Sequence, residues 1–327
     1  MKCTNKLFAA IITVSLTASV LSGCNSATYS MPYDTNSPVS SFRFQTTKQA
    51  ERADGFAVNL CVTNSDITEG ISANTAEAES ALLCDVSKSN VLYSKNVHEH
   101  LEPASLTKVM TAVVALKYAK LDDILTASSN VEIKEDGASL VGIKAGDTMT
   151  LDQALHALLM SSGNDAAVMI AENIGGSVEG FATMMNAEAK ALGATNSNFV
   201  NPHGLTADNH YVTAYDMYLM FNEAIKYDKF TEIINLNDYS TVYYDNDGNP
   251  KELSCETTNL FLKGTYYAPD QVTVIGGKTG TTTSARNCLV LLSKDSSGNP
   301  YISVILKCSE RGILYEEMTS LLEQINP

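Results

Sequence analysis

The stretch Glu102-Pro103-Ala104-Ser105-Leu106-Thr107-Lys108-Val109-Met110-Thr111-Ala112 decides how this chain is read. It sets a serine three residues before a lysine, just after a proline, and an apolar run continues through Val113, Val114 and Leu116 to Tyr118. Residues i and i+3 share one face of a helix, so the spacing predicts Lys108 beside Ser105. Pro103 suits a helix entrance. Ser105 would then sit where free backbone N–H groups and the positive end of the helix dipole converge. A serine hydroxyl is a weak nucleophile until something takes its proton. A neighbouring lysine can do so once its own pKa is lowered. The plainer alternative is a serine that caps a helix and a lysine in solvent. No other Ser-x-x-Lys occurs in the chain.

Working outward, the 327 residues are 44% hydrophobic, enough to bury a sizeable core in one large domain or two moderate ones. The formal net charge of −15 argues against nucleic acid as a partner. Lys2 and Lys6 precede an apolar run from Leu7 to Leu21, the pattern of a secretory signal rather than a membrane span. That run ends in Leu21-Ser22-Gly23-Cys24, which resembles a bacterial lipobox. The resemblance implies removal of residues 1–23 and attachment of a diacylglycerol to Cys24. Two acyl chains suffice for stable anchoring. The expectation is therefore an exported protein, held by its N-terminal lipid to the outer face of the bacterial cytoplasmic membrane. No second apolar segment of spanning length is found.

Residues 24–55 are rich in Asn, Ser, Thr and Gln and read as a flexible tether. From residue 56 onward the composition becomes that of a folded domain, 56–327. Ser80–Asp85 and Val91–Lys95 form a hairpin pattern, and the serine-bearing helix follows. Thr150 caps an amphipathic helix that breaks at Ser161-Ser162-Gly163-Asn164. Further helices begin near Asp165, Ser177 and Thr213. Val272–Ile275, Asn287–Leu292 and Tyr301–Lys307 read as strands, and Arg311–Ile325 as a closing helix. Strands at both ends with helices between them give an α+β fold: an antiparallel sheet flanked by helices, with a helical lobe inserted. Residues 231–271 show no clear pattern beyond a turn at Asp247-Gly248-Asn249-Pro250.

Three patches carry the chemistry: Ser105-Leu106-Thr107-Lys108, Ser162-Gly163-Asn164 and Lys278-Thr279-Gly280. Ser-x-Asn recurs at four other places, so the second patch is weak alone; Lys-Thr-Gly occurs once. A trio of this kind, in this order, marks class A β-lactamases and penicillin-binding proteins, with aspartate as the middle residue of the second motif. Longer runs narrow the resemblance. Val91-Leu92-Tyr93-Ser94-Lys95-Asn96, Leu159-Met160-Ser161-Ser162-Gly163-Asn164-Asp165-Ala166-Ala167, Phe199-Val200-Asn201-Pro202-His203-Gly204-Leu205 and Gly277-Lys278-Thr279-Gly280-Thr281-Thr282 make the chain similar to the D-alanyl-D-alanine carboxypeptidases, the low-molecular-weight penicillin-binding proteins.

That resemblance implies a β-lactamase/penicillin-binding transpeptidase-like fold and a serine hydrolase acting on peptidoglycan stem peptides and acylated by β-lactams. It implies Ser105 as nucleophile, Lys108 as general base and Ser162 as proton relay. Asn164 would hold Lys108 or the substrate amide. Lys278 and Thr279 would take the terminal carboxylate, with Gly280 in the same motif, and the N–H groups of Ser105 and Thr281 would form the oxyanion hole. It implies no metal and no organic cofactor. Some relatives carry arginine where this chain has Tyr215; Arg286 and Arg311 are candidates for the missing positive charge, and no motif fixes either. The chain also ends at Pro327, without the C-terminal β-domain of several relatives. The competing functions are a β-lactamase, which needs a deacylating carboxylate, and a non-catalytic sensor of β-lactams or wall fragments.

Four lesser features complete the reading. The Gly276-Gly277 pair before Lys278 is expected to let a substrate backbone approach. Cys288 and Cys308 flank a hairpin turn and are expected to face each other across it. His98-Glu99-His100 fits no helical zinc pair. Asp122-Asp123 and Glu316-Glu317 are expected on exposed faces.

Overall fold

The computed structural model describes residue 57 and residues 59–325. The signal, the tether and Cys24 lie outside the described residues.

The core is an antiparallel five-stranded sheet of order β2-β1-β9-β8-β7. Its strands are β1 (Ser80–Asp85), β2 (Asn90–Lys95), β7 (Val272–Thr282), β8 (Arg286–Asp295) and β9 (Pro300–Cys308). In β1, β8 and β9 apolar residues predominate without polar alternation, broken in β9 only by the buried Ser303, because both faces are covered. Leu82, Val290, Leu292, Ile302, Val304 and Leu306 point one way, into the cluster shared with the helices. Leu83, Leu289, Leu291, Tyr301 and Ile305 point the other way, onto the C-terminal helix Arg311–Leu322, which supplies Leu314, Tyr315, Met318 and Leu321.

Between β2 and β7 lies the helical lobe: α1 (Thr107–Tyr118), α2 (Leu151–Leu159), α3 (Asn164–Gly175), α4 (Val178–Ala191), α5 (Ala214–Ala224) and α6 (Asp228–Ile234); the C-terminal helix is α7. Helix α1 is buried from Thr107 to Ala115, so it is the central helix rather than an amphipathic surface one. Thr150 and Gln153 close a capping box at the start of α2. A second, four-stranded sheet has the order β3-β4-β5-β6, with β3 Ile124–Thr126, β4 Thr148–Thr150, β5 Asp238–Tyr244 and β6 Pro250–Glu256. It contains the Asp247–Pro250 turn as the β5–β6 hairpin.

Several expectations are corrected. Cys288 and Cys308 do not face each other. Asn287, not Cys288, pairs with Cys308, and a bulge follows. Cys288 joins the cluster on the helical side and Cys308 the cluster under α7, on opposite faces of the sheet. The five described cysteines are free and buried. Glu317 is buried, and its carboxylate accepts from the Glu77 and Ala78 amides at 2.7 and 3.0 Å, which ties the entry to β1 onto α7. Gly276 and Gly277 admit protein backbone rather than substrate. A Cβ on Gly276 would lie 2.1 Å from the Ile234 carbonyl oxygen, and one on Gly277 2.0 Å from that of Val290.

Candidate active site

The serine motif enters through a short 3-10 turn, Ala104–Leu106, which runs into α1. Neither Pro103 nor Leu106, the residues at the two cap positions, makes a side-chain capping bond. Ser105 is therefore not a cap, and its hydroxyl is left for other work. Ser162 occupies the break between α2 and α3 with a left-handed φ of 58°, and Asn164 opens α3. Lys278 to Thr281 lie within β7, the sheet edge beside the serine turn. A Cβ on Gly280 would come within 2.9 Å of the Pro103 carbonyl and 3.0 Å of the Ser105 nitrogen, so β7 sits directly against the turn.

Lys108 Nζ has three partners: Ser105 Oγ at 2.9 Å, Asn164 Oδ1 at 2.6 Å and the His203 carbonyl at 2.7 Å. The two carbonyl-type oxygens can only accept. A neutral amine gives them its two protons and turns its lone pair to Ser105, which then donates. Burial pushes the Lys108 pKa well below the ordinary lysine value, the positive charge of Lys278 pushes it further, and Asp165 opposes the shift. Lys278 is 1% exposed, and burial lowers its pKa to about 7. Its ammonium donates to Ser162 Oγ at 3.0 Å and to the Thr279 carbonyl at 2.9 Å.

A cleft of about 190 Å³ opens above this pair of lysines, lined by Ser105, Ser162, Thr279, Gly280 and Thr281 together with Ser139, Thr258, Arg311 and Tyr315. Larger surface hollows lie beside Leu192 and Leu219 and beside Tyr118 and Ile124, but neither holds a nucleophile with a base. Chemistry, not volume, locates the site.

Residues 67–310 match the family profile described as D-alanyl-D-alanine carboxypeptidase. The chain belongs to this family. It is 35% identical over 253 residues to D-alanyl-D-alanine carboxypeptidase DacF of Bacillus subtilis, covering 76% of this chain and 61% of the relative. It is 32% identical over 263 residues to DacC of Escherichia coli, covering 77% and 62%. The chain thus spans about three fifths of the length of these curated relatives. Among solved structures, the Streptomyces K15 DD-transpeptidase superposes with a TM-score of 0.71 at 24% identity, over 78% of this chain and 98% of that one, a likeness of fold. A penicillin-binding protein homolog from Mycobacterium tuberculosis gives 0.70 at 26% identity, over 80% and 97%.

Ser105 and Lys108, Ser162 and Asn164, and Lys278 and Thr279 converge on this site, whereas Thr107 of the first motif turns away to the Ala104 carbonyl and His210. Arg311 lines the cleft and donates to the Thr258 carbonyl at 3.5 Å, whereas Arg286 is exposed at the start of β8 and does not line it. Tyr215 is turned away and donates to the Cys61 carbonyl at 3.0 Å. His98 bonds the Thr63 carbonyl and His100 stacks on Tyr211. Asp122 and Asp123 are exposed.

The motifs did not announce Ser139, Thr258, Tyr315 or Asp165. The Asp165 carboxylate accepts from the amides of Val141, Gly142, Ile143 and Ala166, and the Ser139 carbonyl accepts from the Asn164 amide at 2.7 Å. The segment that brings Ser139 to the cleft is thereby fixed to α3. Its only sequence signal was an acid directly after Asn164.

Proposed function

We propose that the chain is a serine-type D-Ala-D-Ala carboxypeptidase that removes the terminal D-alanine from peptidoglycan stem pentapeptides and is acylated by penicillins. The observation that carries this reading is the buried Lys108 amine, 2.9 Å from Ser105 Oγ and held from behind by Asn164 and the His203 carbonyl.

Lys108, neutral in its buried site, takes the Ser105 proton as Oγ attacks the carbonyl of the penultimate D-alanine. The N–H groups of Ser105 and Thr281 receive the negative charge that develops on the carbonyl oxygen. Lys278 and Thr279 hold the terminal carboxylate, and Arg311 at the rim adds positive charge. Ser162, bonded to Lys278, gives its proton to the departing D-alanine nitrogen, and the proton that Lys108 took from Ser105 restores the Ser162 hydroxyl, which leaves Lys108 neutral again. Water then attacks the ester on Ser105, Lys108 takes the water proton and returns it to Ser105 Oγ as the C–O bond breaks, and the shortened peptide leaves with a free carboxylate.

The direct test incubates the full chain with a peptide ending in D-Ala-D-Ala and measures released D-alanine. Release by the unaltered protein and none by Ser105→Ala is the expected result. No release, with penicillin still bound covalently at Ser105, would establish a sensor instead. Rapid penicillin turnover would establish a β-lactamase. Among the described residues the cleft lining contains no carboxylate to drive that deacylation, so slow drug release is expected.

The membrane attachment is a proposal from sequence. Residues 1–23 would be removed as a lipoprotein signal, Cys24 would carry the lipid, and residues 24–55 would tether the peptidase domain 56–327 at the outer face of the cytoplasmic membrane, where its wall substrate lies. In detergent partitioning the protein should enter the detergent phase and a Cys24→Ala variant should not. Release of the unaltered protein from membranes without detergent would overturn the anchor.

A further inference from the structure

The residue just before the nucleophile has an uncommon backbone. Ala104 has a φ of 47°, in the left-handed region where residues with a Cβ are disfavoured. Such a conformation persists only where its surroundings over-determine it. The surroundings of Ala104 can be followed bond by bond.

The Ala104 carbonyl accepts from the Thr107 hydroxyl at 2.8 Å. A hydroxyl has one proton, and the carbonyl can only accept, so that proton is committed. Thr107 Oγ1 also lies 2.8 Å from His210 Nε2, so this nitrogen must be the donor. The other ring nitrogen, Nδ1, accepts from the Val200 amide at 3.1 Å. A single form of His210 satisfies all three bonds: the neutral ring with its proton on Nε2. The ring is 3% exposed, and Phe199 packs edge-on against it. Burial lowers its pKa to about 4, consistent with a neutral ring. The opposite side of the Ala104 carbonyl is closed by Gly204, where a Cβ would lie 1.8 Å from the oxygen. The residue before it, His203, supplies the carbonyl that holds Lys108.

We propose that His210 is a positioning residue for the acylation step: through Thr107 it holds the Ala104 carbonyl, and so fixes the left-handed turn that aims Ser105 Oγ and the Ser105 N–H. The chain of donors runs from Val200 N–H to His210, from His210 Nε2–H to Thr107, and from Thr107 Oγ–H to Ala104. It joins the loop 199–205, which holds the base, to the turn that carries the nucleophile. His210 touches neither the reacting atoms nor the cleft lining. This inference rests on Ser105 being the acylated serine.

Two kinds of replacement separate a relay from simple support of the loop. Asparagine places an acceptor near the position of Nδ1, and so keeps the Val200 bond but loses the donor to Thr107. Glutamine places an amide donor near the position of Nε2, and so keeps the relay. With the full chain, His210→Asn and Thr107→Val should each lower the first-order acylation rate constant with penicillin about ten- to a hundredfold, the scale of a small misplacement of reacting groups. The dissociation constant of the initial complex should stay within about twofold. His210→Gln should recover most of the rate. Adding His210→Asn to Thr107→Val should cost nothing more, because the two act as one unit. If His210→Asn does not fold, Thr107→Val against Thr107→Ser, which retains the hydroxyl, decides the matter. Nitrogen-15 NMR of the labelled histidine should show a bare Nδ1 and a protonated Nε2 at neutral pH.

Normal acylation in His210→Asn, a normal rate in Thr107→Val, or losses that multiply in the double variant would overturn the proposal. So would a proton found on Nδ1. Absence of any acylation in the unaltered protein would instead refute the reading of Ser105, while the NMR result would still judge the hydrogen-bonded chain.

Discussion

Lys278 donates to the Ser162 hydroxyl at 3.0 Å from a position that is 1% exposed. Its side chain reaches the cleft from β7, and Ser162 reaches the same point from a left-handed break between two helices. Among the described residues no carboxylate pairs with this buried ammonium, which makes it costly, and its lowered pKa reflects that cost.

Replacement of Lys278 by methionine should therefore weaken activity and strengthen the fold. D-alanine release should fall about a hundredfold in kcat/KM, since a developing acyl-enzyme loses both carboxylate binding and the partner of Ser162. Stability should rise by roughly 1–4 kcal/mol, as when buried charges are exchanged for apolar side chains. The sign with pH is fixed. The folded pKa is about 7 and the ordinary value is 10.5, so the penalty is full below pH 7 and fades as pH rises toward 10.5. Thermal unfolding should show a larger gain for Lys278→Met at pH 6 than at pH 10. A gain independent of pH would contradict a desolvated ammonium.

The two lysines also dictate the pH profile. Lys108 must be neutral to accept a proton, so kcat/KM should rise as pH increases through its strongly lowered pKa. Lys278 must be charged to take a carboxylate, so kcat/KM should fall again near pH 7 in the free protein. A bound carboxylate raises the pKa of Lys278, which moves the falling limb of kcat to higher pH than that of kcat/KM. A single rising limb with a midpoint near pH 10 would show Lys108 titrating as an ordinary solvated lysine.

Asp165 holds the segment 141–143 through backbone amides, and the same segment brings Ser139 to the cleft. Asp165→Ala should cost about 3 kcal/mol, because several buried N–H groups lose a charged acceptor together. Chemical denaturation measures this directly. A loss below about 0.5 kcal/mol would mean that water or rearrangement replaces the carboxylate.

Much of this fold is legible in the sequence. The apolar runs of β1 and β8, and that of β9 around Ser303, announce strands covered on both faces, and Thr150 with Gln153 marks the start of α2. The second sheet is not legible, since β5 alternates exposed and half-buried residues and β4 joins it through Thr148 and Tyr244, far apart in the chain. Strand β7 continues through three glycines, Gly276, Gly277 and Gly280, that carry little strand propensity, held there by pairing with β8. In the site, the three motifs name the chemistry. Their support is hidden because partners are distant: His210 meets Thr107 across 103 residues, and Glu317 meets Glu77 across 240. No local pattern reports such meetings.

The central claim is that Lys108 takes the proton from Ser105. Its most direct test is the pre-steady-state acylation rate of a folded Lys108→Met variant with penicillin at pH 7. The rate constant should fall by roughly a thousandfold, the scale of a lost general base, with Ser105 still in place. A rate constant within about twofold of the unaltered protein would contradict the assignment of Lys108 as the base.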